Sequence, residues 1–284
     1  MKLNDKVAAI TGAGSGIGRA TALCLAGHGV HLSLSDVDAR GLAETARLLG
    51  GMPVKVTTAV VDVADRAAVE QWARLSVEQH GRVNIVINNA GVVVNATVET
   101  LTHEALEWLM NINFWGVVNG TQAFLPWLKQ ADEGLVVNIS SVFGIVGVPT
   151  QGAYNASKFA VRGFSEALAQ ELDIAGSKVR CCCVHPGGIR TNIVRSSRTI
   201  AGGSYLDDAT RATALFDRLA ATTAEQAART LVDGIRRDKR RILIGPDATL
   251  IDLAQRLMPV MYQKILAAFV RRQLRGTRPG TVQP

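Results

Sequence analysis

The chain has 284 residues, of which 48% are hydrophobic and 19% are charged. This length and apolar share predict a single globular domain with a large core, and no linker-like stretch or internal repeat indicates a second. The net charge of +7 comes from the C-terminal end, because residues 236–284 contain 11 Lys and Arg against 3 Asp and Glu, whereas residues 1–235 contain 20 against 21. Since the basic segment holds only two aromatic residues, the composition disfavours a nucleic-acid-binding protein.

The start of the chain and its cysteines exclude further classes. No apolar run approaches the roughly 20 residues of a membrane-spanning helix, and Met1–Lys6 lacks the apolar core of a signal peptide, so we expect a cytoplasmic protein. Three of the four cysteines are adjacent, Cys181-Cys182-Cys183, and have the character of small apolar residues in a buried strand. Because adjacent strand residues point to opposite faces, no metal site is expected, and His185 is expected to be structural.

The first predicted strand, Lys6–Thr11, leads directly into a glycine-rich turn. The turn reads Gly12-Ala13-Gly14-Ser15-Gly16-Ile17-Gly18, and a helix is predicted from Arg19 to Gly27. A strand, a glycine turn and a helix N-terminus form a cradle for phosphate, because free backbone N–H groups and the helix dipole face the anion. The spacing departs from a strict G-x-G-x-x-G pattern, so a tight turn without a ligand is the alternative.

The second predicted strand, Val30–Ser35, ends at Asp36, eighteen residues after Gly18. A carboxylate at about this distance from a glycine turn accepts hydrogen bonds from the ribose of adenosine and repels a 2′-phosphate. The alternative is that Asp36 caps the following helix, Ala39–Leu49. We favour the ribose interpretation because of the glycine turn upstream.

The alternation of strands and helices then continues along the chain. Further strands are predicted at Val54–Val61, Val83–Ile87 and Leu135–Ser141, with a helix at Arg66–Glu78. Strands that alternate with helices of about a dozen residues indicate βαβ units, so we predict an α/β fold with a doubly wound parallel sheet and helices on both faces.

Four polar residues follow the ends of these predicted strands. They are Asp36, Asp62, Asn89 and Ser141. Ligands of parallel sheets bind beyond the carboxyl ends of the strands, so these side chains are expected to line one binding site.

Tyr154 and Lys158 lie four residues apart on a predicted helix and therefore share one face, about 6 Å apart along the axis. A phenol has an ordinary pKa of about 10, and an ammonium one turn away is expected to lower the pKa of Tyr154 and to make it a usable general acid and base. Ser141 is placed to polarise a carbonyl that Tyr154 protonates. The alternative is a pair on a solvated helix face.

The end of the chain predicts two further features. A domain over residues 1–245 closes with the strand Arg241–Ile244, and residues 246–284 form a basic amphipathic helical extension that Pro259 kinks or divides. The extension is expected to pack over the substrate mouth or a neighbouring subunit, with an anionic membrane surface as the alternative. Ser196–Asp208 has the composition of a mobile substrate lid.

Taken in order, these motifs resemble the short-chain dehydrogenase/reductase family. The matching residues are Thr11-Gly12 with Gly16 and Gly18, Asn88-Asn89-Ala90-Gly91, Asn113, Ser141, Tyr154-x-x-x-Lys158, and Pro186-Gly187 with Thr191. The resemblance implies a Rossmann-like fold, a nicotinamide cofactor, reversible interconversion of an alcohol and a carbonyl compound, and a homodimer or homotetramer.

The resemblance also implies the role of each residue. Catalysis would use Tyr154 as acid and base, Ser141 to polarise the substrate, Lys158 on the nicotinamide ribose and on Tyr154, and Asn113 in a water-linked proton relay. The implied cofactor-binding residues are Gly12, Ser15, Gly16, Ile17, Gly18, Asp36, Asp62, Val63, Asn89, Ala90, Gly91, Tyr154, Lys158, Pro186, Gly187, Ile189 and Thr191. As alternatives, Asn113 bonds a neighbouring backbone, Asn88-Asn89-Ala90-Gly91 forms a turn and Thr191 caps a helix.

We therefore expect an oxidoreductase that uses NAD, rather than NADP, on a lipophilic secondary alcohol or its ketone. Two alternatives stay open from the sequence. One is a protein that binds NAD as a sensor on the same scaffold, since a fold does not fix a function. The other is a reductase of ketones carried on an acidic acyl-carrier protein, which the basic tail permits and Asp36 disfavours.

Overall fold

A computed structural model describes residues 1–191, 197–200 and 221–275. The described strands are β1 Val7–Thr11, β2 His31–Asp36, β3 Val56–Val60, β4 Ile85–Asn88, β5 Val94–Asn95, β6 Gly134–Ile139, β7 Val179–Pro186, β8 Ile189–Arg190, β9 Arg198–Thr199, β10 Thr222–Thr223 and β11 Arg241–Ile244. The described helices are α1 Gly16–Ala26, α2 Ala39–Leu49, α3 Arg66–His80, α4 His103–Met110, α5 Gly116–Gln130, α6 Gly152–Ile174, α7 Ala224–Arg236, α8 Pro246–Leu257 and α9 Met261–Arg275. A π-helical turn, Asn111–Trp115, joins α4 to α5, and a 3₁₀ turn, Val142–Gly144, follows β6.

Seven parallel strands form one sheet in the order β11–β7–β6–β4–β1–β2–β3. The chain winds outward from β1 through β2 to β3, then crosses back to β4 and winds outward the other way. The predicted α/β fold with a doubly wound parallel sheet is confirmed. The order reverses between β1 and β4, and beyond the carboxyl ends of such neighbouring strands a crevice opens for ligands.

Helices cover both faces of the sheet because successive residues of a strand point to opposite faces. From β1, Ala8 and Ile10 join a core with α1, α2 and α7, whereas Val7 and Ala9 join a core with α3, α5 and α6. The three adjacent cysteines follow the same rule, since Cys182 enters the first core and Cys181 the second. All three thiols are buried, and burial raises the pKa of each, which leaves them as packing residues.

A buried polar network ties the strands beneath the switch point to two helices. The Asn88 amide of β4 donates to Asn138 of β6 at 2.8 Å and to Thr121 of α5 at 3.1 Å. Asn138 in turn donates to Ser165 of α6 at 2.9 Å. Because a buried polar group without a partner is costly, this chain of hydrogen bonds fixes the register of β4 and β6 against both helices.

Several predicted boundaries move by a few residues. α1 begins at Gly16 rather than Arg19, because the last glycines of the turn already belong to the helix. Pro259 lies in the turn between α8 and α9, as the sequence predicts for a residue that cannot continue a helix. Of the predicted lid, residues 197–200 are described and contain the two residues of β9, which pairs with β5. Ser196 and residues 201–208 lie outside the described residues.

Candidate active site

The glycine turn opens the N-terminus of α1. Gly12 and Gly16 have φ angles of 64° and 49°, in the left-handed region that favours glycine. A Cβ on Gly12 would lie 2.9 Å from the Cα of Ala90, so the turn also needs glycine for close approach to the end of β4. Ser15 precedes α1 in an extended conformation and makes no side-chain cap, and the first turn of the helix has no acidic residue. The first N–H groups of α1 are therefore available to an anion.

Asn89 holds this turn in place through its side chain. The Asn89 amide donates to the carbonyl oxygens of Thr11 at 2.9 Å and Gly12 at 3.1 Å. In return, the Thr11 hydroxyl accepts from the backbone N–H groups of Asn89 at 2.9 Å and Ala90 at 3.0 Å. The N–H groups of the Asn89 side chain thus bind backbone carbonyls of the glycine turn, so Asn89 holds the phosphate cradle in shape.

Asp36 joins the same turn from the end of β2. Its carboxylate accepts from the N–H of Gly14 at 2.8 Å and from the N–H of Asp38 at 2.9 Å. The N-cap of α2 is Asp38, whose side chain accepts from the N–H of Arg40 at 3.1 Å. The alternative that Asp36 caps the helix is therefore wrong, and its carboxylate instead faces the glycine turn.

Asp62 and Val63 follow β3 at the same end of the sheet. Asp62 is exposed and accepts from the N–H of Ala64 at 2.9 Å, which closes a local turn. Val63 is buried, and its carbonyl accepts from the Asn119 amide at 3.0 Å. Both residues thus lie near the carboxyl end of β2, since the N–H of Val61 donates to the carbonyl of Asp36 at 3.1 Å.

The catalytic candidates meet at the end of β6. Ser141 follows the strand and caps the 3₁₀ turn, accepting from the N–H of Phe143 at 3.1 Å. Tyr154 and Lys158 are one turn apart on α6, with the Lys158 ammonium 5.6 Å from the centre of the Tyr154 ring. Ser140, one residue before Ser141, donates to the Lys158 carbonyl at 2.8 Å and thereby ties the end of β6 to α6.

The pKa values of this pair differ from the sequence expectation. Burial raises the pKa of Tyr154 to about 12, and its hydrogen bond with Ser141 lowers that pKa by less. Burial also lowers the pKa of Lys158 to about 8. The prediction that Lys158 lowers the pKa of Tyr154 is wrong for this arrangement, because desolvation of the phenolate dominates and the ammonium donates to the Ile139 carbonyl at 3.0 Å.

Asn113 lies fully buried in the π-helical turn, and its side chain is committed to a neighbouring backbone. It accepts from the N–H of Val92 at 2.8 Å and donates to the Val92 carbonyl at 2.9 Å and to Ser157 at 3.2 Å. A Cβ on Gly91 would lie 3.3 Å from the Asn113 side-chain oxygen and 3.5 Å from the Lys158 nitrogen. The fold therefore brings Gly91, Asn113 and Lys158 together, but the Asn113 side chain already forms two hydrogen bonds with the Val92 backbone.

The loop after β7 crosses towards the glycine turn. Pro186 ends the strand, Gly187 follows it, and Ile189 is buried in β8. Thr191, the last described residue before the gap, lies beside the turn, since a Cβ on Gly16 would come within 3.3 Å of its methyl group. The structure thus brings the two ends of the predicted cofactor site together.

Asp247 is a site-shaping residue that the sequence did not indicate. Its carboxylate, in the first turn of α8, accepts from the N–H of Gly188 at 2.7 Å, and a Cβ on Gly187 would overlap it. The second oxygen of Asp247 is buried without a hydrogen-bond partner in the described part of the chain. The only signal in the sequence is an acidic residue at a helix start, which does not reveal a partner 59 positions away.

His185 supports Ser141 from the neighbouring strand. Its ring Nδ1 lies 3.0 Å from the Ser141 carbonyl, which can only accept, so Nδ1 carries the proton. Burial lowers the pKa of His185 to about 4, so the ring is neutral at physiological pH. Within the described residues, no group of three or more His, Cys, Asp or Glu side chains could hold a metal ion.

Comparisons with known proteins agree with this geometry. A family model described as short chain dehydrogenase matches residues 6–201, a span that contains every predicted site residue. A Mycobacterium tuberculosis protein provisionally named oxidoreductase SadH is 47% identical over 265 residues, which cover 93% of this chain and 95% of that protein. A 3-ketodihydrosphingosine reductase of Bacteroides thetaiotaomicron is 39% identical over 189 residues, which cover 66% of this chain and 66% of that enzyme.

A solved structure extends the likeness to three dimensions. The crystal structure of a short chain dehydrogenase/reductase from Burkholderia phymatum in complex with NAD has a TM-score of 0.83 and 30% identity, and the match covers 90% of this chain and 94% of that one.

The Asp247 contact yields a testable prediction. Asp247→Ala should lower the free energy of unfolding by about 1–3 kcal/mol and speed amide hydrogen exchange at Gly188, because the change removes the charged acceptor of a partly buried N–H. Asp247→Asn, which keeps an acceptor oxygen, should lose less. Asp233→Ala removes an exposed carboxylate from α7 and should stay within about 0.5 kcal/mol of the wild type. Unchanged exchange at Gly188 in Asp247→Ala would contradict the assignment.

Proposed function

The chain belongs to the short-chain dehydrogenase family and is an oxidoreductase of CH–OH groups, and from this premise we propose that it interconverts a lipophilic secondary alcohol and its ketone with NAD. The observation that carries the proposal is the meeting of Ser141, Tyr154 and Lys158 at one end of the sheet, next to the glycine turn. The glycine turn, Asp36 and the Ser–Tyr–Lys group lie at the ends of neighbouring strands, where ligands of doubly wound sheets bind.

The residues at the carboxyl ends of the strands fit NAD. The uncapped N-terminus of α1 and the glycines of the turn suit a pyrophosphate. The carboxylate of Asp36 still has lone pairs for ribose hydroxyls and opposes a 2′-phosphate, which supports NAD over NADP. We assign the adenine to Asp62 and Val63, at the same end of the sheet as Asp36, and the carboxamide to Thr191, beside the glycine turn. The structure of the Burkholderia phymatum relative, which is in complex with NAD, supports this cofactor.

The chemistry is divided between the cofactor and the chain. The nicotinamide supplies hydride transfer. Tyr154 gives its hydroxyl proton to the carbonyl oxygen during reduction and takes it back from the alcohol during oxidation. Ser141 donates a hydrogen bond to the same oxygen, and the His185 ring holds the Ser141 backbone in place. Because the pKa of Tyr154 is raised to about 12, the phenol is protonated at neutral pH, the form that reduction requires.

The surroundings of Tyr154 support a lipophilic substrate. Tyr154 packs against an apolar cluster of four buried residues, and the partly buried Val92, Trp108 and Ile200 pack against the same cluster. The four are Val94, Ala96, Leu109 and Ala153. Phe143 adds an edge-on ring 5.9 Å from the Tyr154 ring centre. A relative named for the reduction of 3-ketodihydrosphingosine, a long-chain ketone, agrees with this preference.

A homodimer or homotetramer is part of the proposal. Trp115, in the π-helical turn, is 52% exposed, and Phe159 on α6 is 43% exposed. Aromatic side chains are enriched at protein interfaces, so these two favour a subunit contact on the face of α5 and α6.

Replacing Tyr154 tests the assignment of the acid and base. Tyr154→Phe should lower kcat by about 10²–10⁴-fold, because it deletes only the proton donor. NADH binding, followed by fluorescence, and the melting temperature should stay nearly unchanged. Wild-type kcat on a substrate whose chemical step limits the rate would show that Tyr154 is not the acid.

Replacing Asp36 tests the cofactor preference. Wild-type kcat/KM should favour NAD over NADP, and Asp36→Ala should narrow the difference, because a like-charge contact with a 2′-phosphate costs several kcal/mol. Asp38→Ala is the matched control, since it removes the cap of α2 and should cost about 0.5–2 kcal/mol of stability without changing the preference. Equal kcat/KM for both cofactors in the wild type would refute this role of Asp36.

The pKa values of Tyr154 and Lys158 predict different pH profiles for the two directions. Lys158, with its pKa lowered to about 8, is cationic below that pH and loses its charge above it, whereas Tyr154, with its pKa raised to about 12, stays protonated. Reduction should therefore keep a constant kcat/KM below about pH 8 and decline above it. Oxidation needs the phenolate, so its kcat/KM should rise about tenfold per pH unit until Lys158 deprotonates. A reduction rate that climbs between pH 7 and 9 would contradict these assignments.

A further inference from the structure

The C-terminal helices α8 and α9 carry an unusual share of the exposed apolar surface. Of the 16 large apolar side chains that are exposed in the described part of the chain, eight lie within these helices and the turn between them. We call these eight the apolar ridge. They are Leu250, Leu253, Leu257, Met258, Val260, Met261, Ile265 and Phe269, and each is between 40% and 72% exposed. The sequence led us to expect these side chains to be covered, and the chain itself does not cover them.

Helical spacing gives each helix an apolar stripe. Leu250, Leu253 and Leu257 recur at three and four residues on α8 and share one face, opposite Ala248 and Asp252. On α9, Met261 and Ile265 are four residues apart and share a face.

Three contacts attach the two helices to the domain. On α8, Ala248 is fully buried and Asp252 forms an ion pair with Arg241 at 2.6 Å. On α9, the Tyr262 hydroxyl accepts from the N–H of Gly147 at 3.2 Å. These contacts leave the ridge side chains exposed to solvent.

Basic side chains accompany the ridge on α9. Lys264, Arg271 and Arg272 are all exposed, and no ion pair joins them to an acidic side chain within the described residues. Lys264 and Arg271 are seven residues apart, so they flank the apolar stripe on the same side. An apolar stripe bordered by unneutralised cations is the pattern of a helix that lies at the surface of an anionic membrane.

We propose that α8 and α9 form a docking surface for an anionic lipid bilayer, with the apolar ridge in contact with the acyl chains and the basic side chains on the headgroups. No described helix is long and apolar enough to cross a membrane, so the contact is interfacial. The charge distribution favours lipid over a second copy of the chain. Two copies joined through this surface would bring together two sets of Lys264, Arg271 and Arg272, which have no acidic partner within the described residues.

The docking surface contacts a loop that lies next to the candidate site. Gly147, which Tyr262 contacts, lies in the loop between the 3₁₀ turn after Ser141 and α6, which carries Tyr154. Docking would therefore place the mouth of the candidate site beside the membrane, where lipophilic alcohols and ketones are concentrated. The docking itself does not depend on the proposed reaction, so it can succeed or fail independently.

Co-sedimentation of the full-length protein with lipid vesicles tests the proposal. We expect binding to vesicles of equal parts phosphatidylcholine and phosphatidylglycerol, little binding to phosphatidylcholine alone, and weaker binding at high salt, because counter-ions screen the headgroups. A protein that stays in the supernatant with anionic vesicles at low salt overturns the proposal.

Two pairs of substitutions separate the apolar and basic contributions. Each double variant should weaken binding to anionic vesicles by about tenfold or more. Leu257→Ser with Phe269→Ser removes apolar side chains from the acyl-chain region. Lys264→Gln with Arg271→Gln removes two cations, each of which contributes about 1 kcal/mol near the headgroups. Ile174→Ser, which removes an 87% exposed apolar side chain at the end of α6, is the matched control and should bind like the wild type. Equal loss of binding in the control would overturn the assignment to α8 and α9.

Molecular mass and activity distinguish docking from a subunit contact. The ridge variants should keep the wild-type mass in analytical ultracentrifugation, and their kcat on a small soluble alcohol should be unchanged. A fall in oligomer mass for Leu257→Ser with Phe269→Ser would assign the ridge to an interface between copies of the chain and overturn the lipid proposal.

Discussion

The hydrogen bonds that join the end of β1 to the end of β4 set the position of the other groups in the candidate site. Thr11 and Asn89 exchange side-chain and backbone hydrogen bonds across this junction, and Asn89 also holds Gly12. Because the strand order reverses between these two strands, one junction orients both the glycine turn before α1 and the segment that leads to Gly91. Gly91 in turn lies beside Lys158, so this junction links the nucleotide half of the site to the catalytic half, which lies at the end of β6.

Burial controls the acid–base properties of this site more strongly than the attraction between its charges. Spacing on a helix brings the Lys158 ammonium near the Tyr154 ring, yet burial raises the pKa of the phenol to about 12 and lowers the pKa of the ammonium to about 8. Both shifts follow from the removal of water, which disfavours the charged form of each group. At neutral pH Tyr154 is therefore uncharged and Lys158 cationic, and the Ile139 carbonyl, rather than Tyr154, receives the hydrogen bond of Lys158.

The sequence predicts the fold and the set of residues at the sheet edge because both depend on local periodicity. Alternating strands and helices determine a parallel sheet, and a polar residue after a strand must lie at its carboxyl end, as Asp36 and Ser141 do. Contacts between distant segments cannot be predicted from local periodicity. The bond from Gly188 to Asp247 spans 59 residues and that from Val92 to Asn113 spans 21, and neither partner has a spacing that identifies the other. The pKa of Tyr154 was missed for the same reason, since burial is a property of the assembled fold.

The C-terminal segment is joined to the candidate site at two points, one in the first turn of each helix. Asp247, in the first turn of α8, holds the loop after β7, and Tyr262, in the first turn of α9, holds the loop between β6 and α6. Whatever binds the outer side of these helices therefore acts on a segment whose inner side supports two loops of the site. A contact on α8 and α9 would act on both loops together, because each loop donates a backbone hydrogen bond to one of these helices. In the proposed docking, the same two helices thus contact the lipid and hold two loops of the candidate site.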